Sequence, residues 1–242
     1  MVKLSVNINK FATLRNARGG NRPDVVQAAI DAELFGANGI TVHPRPDQRH
    51  IRYEDVYALK PVIGTEFNIE GYPDPQFMKL VLEVRPEQVT LVPDPPDVLT
   101  SNAGWDTVKH ESRLRDIIAE LHAHQIRTSI FLDPEPLYVA AAVRTGTDRI
   151  ELYTEAYARN YTRNRELAIA PYVRTAEEAV QAGLGINAGH DLDLENLAWL
   201  AAGLPGLLEV SIGHALVCDA LYFGFHNTIQ MYKSKLAFPH EP

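Results

Sequence analysis

With one cysteine, Cys218, in 242 residues, the chain cannot form an internal disulfide. The setting of Cys218 in the apolar run HALVCDALYF makes a packed small hydrophobe the expectation. Long apolar runs are lacking as well: the stretch at 137–143 falls far short of the ~20 residues that cross a bilayer. No basic N-terminal segment leads into an apolar one, so no membrane partner and a cytoplasmic location are expected. Basic charge is in deficit, with 23 Lys and Arg against 31 Asp and Glu for a net −8. That balance argues against a nucleic-acid partner, whose phosphates call for a basic excess.

Several catalytic signatures are also missing. No Gly-x-Gly-x-x-Gly follows the first strand pattern, which removes the usual dinucleotide cradle. There is no Walker loop, no Gly-x-Ser-x-Gly elbow and no His-Glu-x-x-His pair. No metal or other cofactor is called for, and proton transfer by side chains alone is the chemistry that fits.

The charge that is present is uneven. Residues 1–52 hold eight Lys or Arg and four Asp or Glu, a net +4, which leaves −12 on the remainder of a chain totalling −8. A small anion is the partner this asymmetry favours.

Short β-rich runs alternate with helical patterns, near residues 3–8, 39–43, 66–70, 88–92, 127–132, 149–153, 185–187 and 208–212. One helix is predicted over 23–35, with Pro23 in its first turn and Val26, Ala29, Ile30 and Leu34 on one face. Another is predicted over 109–124, with Leu114, Ile117, Ile118 and Leu121 inward. Eight strand–helix units in ~250 residues is the size of a (β/α)8 TIM barrel. No linker or composition break interrupts it, so residues 1–242 read as one catalytic domain. A doubly wound sheet is the alternative.

Within the strands the period of two separates apolar from polar faces. Leu4, Val6 and Ile8 oppose Ser5, Asn7 and Asn9; Phe67 and Ile69 oppose Glu66, Asn68 and Glu70. Ile150 and Leu152 oppose Arg149, Glu151 and Tyr153; Val210 and Ile212 oppose Glu209, Ser211 and Gly213. If the apolar faces meet the helices, the barrel interior is polar, and Lys3, Glu66, Arg149 and Glu209 are expected to pair near its bottom.

In such barrels chemistry sits where strands run into βα loops. The last inward residues are Asn7, His43, Glu70, Glu151, His190 and Gly213. Pro44 and Pro46 stop the second strand after His43 and deliver Arg45, Arg49 and His50 to the same rim. Histidines and glutamates converging there form an acid–base set that works near neutral pH. The segment IGHAL at 212–216 adds backbone N–H groups at a helix start, which favours an anion.

The stretches VNINKFATLRNARGG, GITVHPRPDQRHI, EFNIEGY, INAGHDL and SIGHAL, spread over nearly the whole chain, resemble the pyridoxine 5′-phosphate synthase family. The resemblance implies condensation of 1-deoxy-D-xylulose 5-phosphate with 3-amino-2-oxopropyl phosphate to give pyridoxine 5′-phosphate, phosphate and water, without a redox cofactor or metal. It implies His43 and Glu70 as proton acceptors and His190 as a proton donor. Asn7 and Arg18 resemble contacts to the amino-ketone phosphate, and Arg45, His50 and Thr100 contacts to the pentulose phosphate. Gly213 and His214 resemble a backbone phosphate cradle. Glu151, Asn9, Lys10 and Asp191 complete the substrate-facing set. A homo-oligomer, an octamer by resemblance, is implied, and the Pro-rich segment 93–108 has the character of a lid.

Two departures stand out. Many family members carry Asp-His where this chain has Asn9-Lys10, and Gly where it has Asp191. The alternatives are a phosphosugar epimerase or isomerase on the same barrel, which needs one phosphorylated substrate, and a catalytically silent phosphometabolite-binding protein. The two arginine groups, Arg18 and Arg45 with Arg49, favour two anionic substrates over one.

Overall fold

The computed structural model describes residues 1–94 and 103–237. Eight strands run Lys3–Asn7 (β1), Gly39–Val42 (β2), Glu66–Gly71 (β3), Gln88–Leu91 (β4), Arg127–Leu132 (β5), Arg149–Tyr153 (β6), Gly185–Gly189 (β7) and Leu207–Ile212 (β8). They pair in sequence order, all parallel, and β8 returns to β1 to close the barrel. The architecture is the (β/α)8 barrel. The seventh strand runs two residues past its expected end, to Gly189, because Leu152 and Tyr153 pair with Ala188 and Gly189.

The helices that follow are Asn9–Asn16 (α1), Val25–Leu34 (α2), Tyr53–Leu59 (α3), Pro75–Val84 (α4), Thr107–Ala123 (α5) and Pro136–Thr145 (α6). They continue as Glu155–Tyr161 (α7), Arg165–Gln181 (α8), Leu197–Gly203 (α9), His214–Phe223 (α10) and Phe225–Ala237 (α11). Among the described residues, no helix is long and apolar enough to cross a membrane.

The apolar faces of the strands meet these helices as expected: Leu4, Val6, Ile8, Phe67, Ile69, Ile150 and Leu152 are fully buried. The helix over 109–124 appears as α5, capped by Asp106 and burying Leu114, Ile118 and Leu121. The helix over 23–35 differs in its start and its face. Asp24 caps α2 by accepting from the amides of Val26 and Gln27, which leaves Pro23 outside the first turn. Val25, Ala28, Ala29 and Ala32 are buried, while Leu34 is 78% exposed. Small alanines let the helix approach the sheet closely, so the larger apolar side chains are left on the outer side.

Cys218 is another correction: it is exposed. Leu216 is the buried residue of α10, and a position two residues further on is turned by ~200° around the helix, away from the barrel.

The barrel interior is polar and internally paired. Ser5 and Thr41 hydroxyls lie 2.7 Å apart, and Thr90 donates to Asn68 Oδ1 at 3.0 Å. Below them Glu66 is the hub, with Lys3 and Arg149 each at 3.9 Å and Arg127 in direct hydrogen bond. Arg127 was not among the expected pairing residues. Glu209 is buried, yet its Oε2 has no hydrogen-bond partner, and burial with the nearby Glu66 carboxyl pushes it up to about 8.

Candidate active site

The strand C-termini open on a cavity of about 670 Å³, within the range of small-molecule sites. β1 delivers Asn7, whose Oδ1 accepts from the Asn9 amide at 3.1 Å and turns the chain into α1. Asn9 therefore begins a helix rather than extending the strand. Its side-chain oxygen accepts from the His43 backbone N–H at 2.9 Å, tying the exits of β1 and β2 together. A carboxylate could accept the same bond, so Asn9 removes a charge and keeps an acceptor. Lys10 follows on the cavity wall.

His43 stands one residue beyond β2, and Pro44 and Pro46 carry the chain away from the sheet. Arg45 is drawn inward by Asp94, its Nη2 2.7 Å from Oδ2 with both side chains buried. The following loop is clamped from below. Both Nη atoms of Arg15 engage the Asp55 carboxylate, at 2.5 and 2.8 Å, and Nη2 also donates to the His50 carbonyl. Asn16 donates to that carbonyl at 2.8 Å. The His50 ring accepts the Ile51 amide on Nδ1 at 2.9 Å, which leaves its hydrogen on Nε2.

Glu70 lies near the end of β3, with its Oε2 3.6 Å from His43 Nδ1. Burial is the largest influence on each, pushing Glu70 well above the usual carboxyl range and His43 well below the usual imidazole range. Glu151 and Asp94 raise Glu70 further, and Arg45 lowers His43 further. The contact has the spacing of an ion pair, while burial favours the uncharged form of each partner.

Glu151 sits across the barrel on β6, buried, and burial pushes it up to about 7. Its space depends on Gly189: a Cβ there would stand 2.5 Å from Glu151 Oε1. β7 delivers His190 and Asp191, both lining the cavity. Gly213, His214 and Ala215 line it at the start of α10, whose first amides lack helical partners and whose dipole favours an anion.

The structure thus brings together Asn7, Asn9, Lys10, His43, Arg45, His50, Glu70, Glu151, His190, Asp191, Gly213 and His214. Arg18 is exposed beyond the end of α1 and does not line the cavity. Thr100 lies outside the described residues, as does half of the segment with lid character. Sequence reasoning missed Val92 and Phe131, which with Tyr153 form a small apolar cluster at the barrel mouth. Phe131 alternates inward on β5 opposite Glu151, and that register was the available signal. Among the described residues, no group of three or more His, Cys, Asp or Glu side chains could hold a metal ion.

The family described as "Pyridoxal phosphate biosynthesis protein PdxJ" matches residues 4–237. The chain belongs to the PdxJ family. The pyridoxine 5′-phosphate synthase of Porphyromonas gingivalis is 60% identical, covering 98% of this chain and 100% of its own. That of Cytophaga hutchinsonii is 58% identical, covering 98% and 99%. PdxJ relatives of this similarity carry the name of an enzyme of vitamin B6 synthesis, in agreement with the resemblance seen in the motifs.

Solved structures outside the PdxJ family share the barrel. The 3-keto-L-gulonate-6-phosphate decarboxylase of Vibrio cholerae superposes with a TM-score of 0.65 at 8% identity, covering 98% of this chain and 97% of its own. A thiamine phosphate pyrophosphorylase from Pyrococcus furiosus gives 0.64 at 12%, covering 98% and 96%. At such identities the likeness concerns the fold alone.

Proposed function

We propose that this PdxJ protein condenses 1-deoxy-D-xylulose 5-phosphate with 3-amino-2-oxopropyl phosphate by general acid–base catalysis, giving pyridoxine 5′-phosphate, phosphate and water. The observation that carries the reading is the His43–Glu70 contact lying between two walls suited to anions. One wall is the loop bearing Arg45, Arg49 and His50, with Lys10 near enough for its charge to act on His50; the other is the start of α10. Two phosphorylated substrates require two such walls.

Amine–ketone condensation, dehydration, phosphate loss and ring closure each move protons between carbon, nitrogen and oxygen. An uncharged His43 can accept a proton, and a carboxyl raised by burial, as in Glu70, holds a proton that it can pass on. Glu151, at about 7, adds a second such carboxyl, and His190 is assigned as the donor. His50 and Arg45 are assigned to the pentulose phosphate; Asn7 and the Gly213 and His214 backbone are assigned to the amino-ketone phosphate. Val92 and Phe131 supply an apolar wall for a flat ring product.

Incubation with both phosphates and mass detection of pyridoxine 5′-phosphate tests the reading. Conversion of one phosphosugar alone into an isomer, with no ring product, would replace it with an epimerase or isomerase. A homo-oligomer belongs to the same proposal: Leu221 and Tyr222 on α10 are 73% and 86% exposed, an apolar face that a second copy would cover. Sedimentation of the purified chain decides this, a monomer ruling it out.

A further inference from the structure

His190 and Asp191 leave β7 with left-handed backbone, at φ 91° and φ 58°. Short polar side chains such as Asp tolerate this region better than most, but two such residues in succession must be held by their surroundings. Thr154 Oγ1 donates to the carbonyls of Gly189 and His190 at 2.7 and 2.5 Å. Asn196 Nδ2 donates to the Asp191 carbonyl at 3.1 Å. The turn folds the Asp191 carboxylate back onto its neighbour, with Oδ2 2.9 Å from His190 Nδ1.

An ionised carboxylate only accepts, so the hydrogen of this bond belongs to Nδ1. The bond to His190 is also the main influence holding the Asp191 carboxyl below its usual range. Tyr153 packs its ring against His190 at 4.9 Å between centroids, and the charges nearby are those of Glu151 and His214.

We infer that Asp191 is a positioning residue that fixes His190 in its Nδ1–H tautomer and reserves Nε2 for proton transfer in the cavity. The inference rests on the acid–base reading above, in which His190 handles protons. Direct capture of a substrate phosphate is a poorer role for Asp191, since carboxylate and phosphate repel. The ring nitrogen that carries the proton is set by the bond made at the other nitrogen, and partners of this kind change activity by roughly 10- to 100-fold.

The experiment pairs ¹⁵N spectra of the histidine rings in the full chain with steady-state kinetics. His190→Gln assigns the His190 signals. In the wild type these are expected to show hydrogen held on Nδ1 in every protonation state, with Nε2 the nitrogen that gains and loses a proton. Asp191→Gly, unstrained in a left-handed turn, is expected to lose that signature and to lower kcat about 10-fold or more, with KM within twofold and Tm not reduced. Asp191→Asn keeps the turn but not the charge, and kcat is expected to fall there too. Retention of the Nδ1–H signature or of wild-type kcat in Asp191→Gly overturns the inference, as does an Asp191→Asn enzyme equal to wild type in both. If the wild type makes no pyridoxine 5′-phosphate, the acid–base reading fails, while the spectra still decide whether Asp191 sets the tautomer.

Discussion

The imidazole of His43 and the carboxyl of Glu70 face each other across 3.6 Å, with both side chains nearly removed from water. The separation exceeds a hydrogen bond, and burial drives both groups toward neutrality. Glu70→Gln keeps the shape and removes the titratable carboxyl, so turnover is expected to fall ~10²–10⁴-fold. Because the carboxyl of Glu70 lies higher in the fold than in the unfolded chain, its ionisation opposes folding as pH rises. The variant should therefore match or exceed wild-type Tm at pH 8. A change in turnover below about threefold would remove Glu70 from the chemistry, given the usual size of such contributions.

His50 is expected to bind its phosphate as a neutral donor. Burial first, then Arg45, Lys10 and Arg49, push its ring down to about 4, so it is uncharged above about pH 5. Substrate affinity should show no break near pH 6.5 beyond phosphate's own second ionisation near 6. His50→Gln, another neutral donor, should keep Kd within a few-fold, while His50→Ala should lose roughly tenfold. Titration calorimetry from pH 5.5 to 8 reads both, and a break near 6.5 that His50→Gln abolishes would show a charged ring at work.

Glu209 should make the protein less stable as pH rises. Its carboxyl sits near 8 in the fold against 4.5 as the ordinary value, so the fold holds a proton that the unfolded chain has released between those limits. Stability is thus full below about pH 4.5 and declines toward pH 8. Glu209→Gln should flatten the decline, by on the order of 2 kcal/mol at pH 8. Denaturant midpoints across that window measure it; parallel curves for variant and wild type would contradict it.

Arg15→Ala should cost about 3–5 kcal/mol, because it strands the Asp55 carboxylate in a buried place. The same variant takes one of two donors from the His50 carbonyl, leaving Asn16, and should raise KM for the pentulose phosphate. Arg15→Met combined with Asp55→Leu should recover most of the stability but not the KM. Recovery of both would separate the clamp from substrate binding.

The strands and their polar lining were legible in the sequence because the period of two is local and each strand carries it. The rim residues followed from strand direction alone, which is why His43, Glu70, Glu151 and His190 share the cavity. What escaped depends on distant partners. The Arg15–Asp55 clamp joins residues 40 positions apart, and Arg45–Asp94 joins residues 49 apart. The buried face of α2 was misjudged because alanine, with little hydrophobic signal, is what a close approach demands. Arg18 carries a charge suited to phosphate, but the turn after α1 leaves it in solvent.

The clamp of Arg15 on Asp55 has a consequence for how the enzyme's tasks are shared along its chain. It closes one continuous stretch, residues 7–55, into the wall that carries Asn9, Lys10, Arg45 and His50. Apart from His43, the groups proposed to move protons come from β3, β6 and the end of β7. Under the proposed roles, recognition of the pentulose phosphate and most of the proton chemistry lie on separate blocks of the chain. Exchanging the first block between relatives should change substrate preference while the carboxyls on β3 and β6 stay as they are.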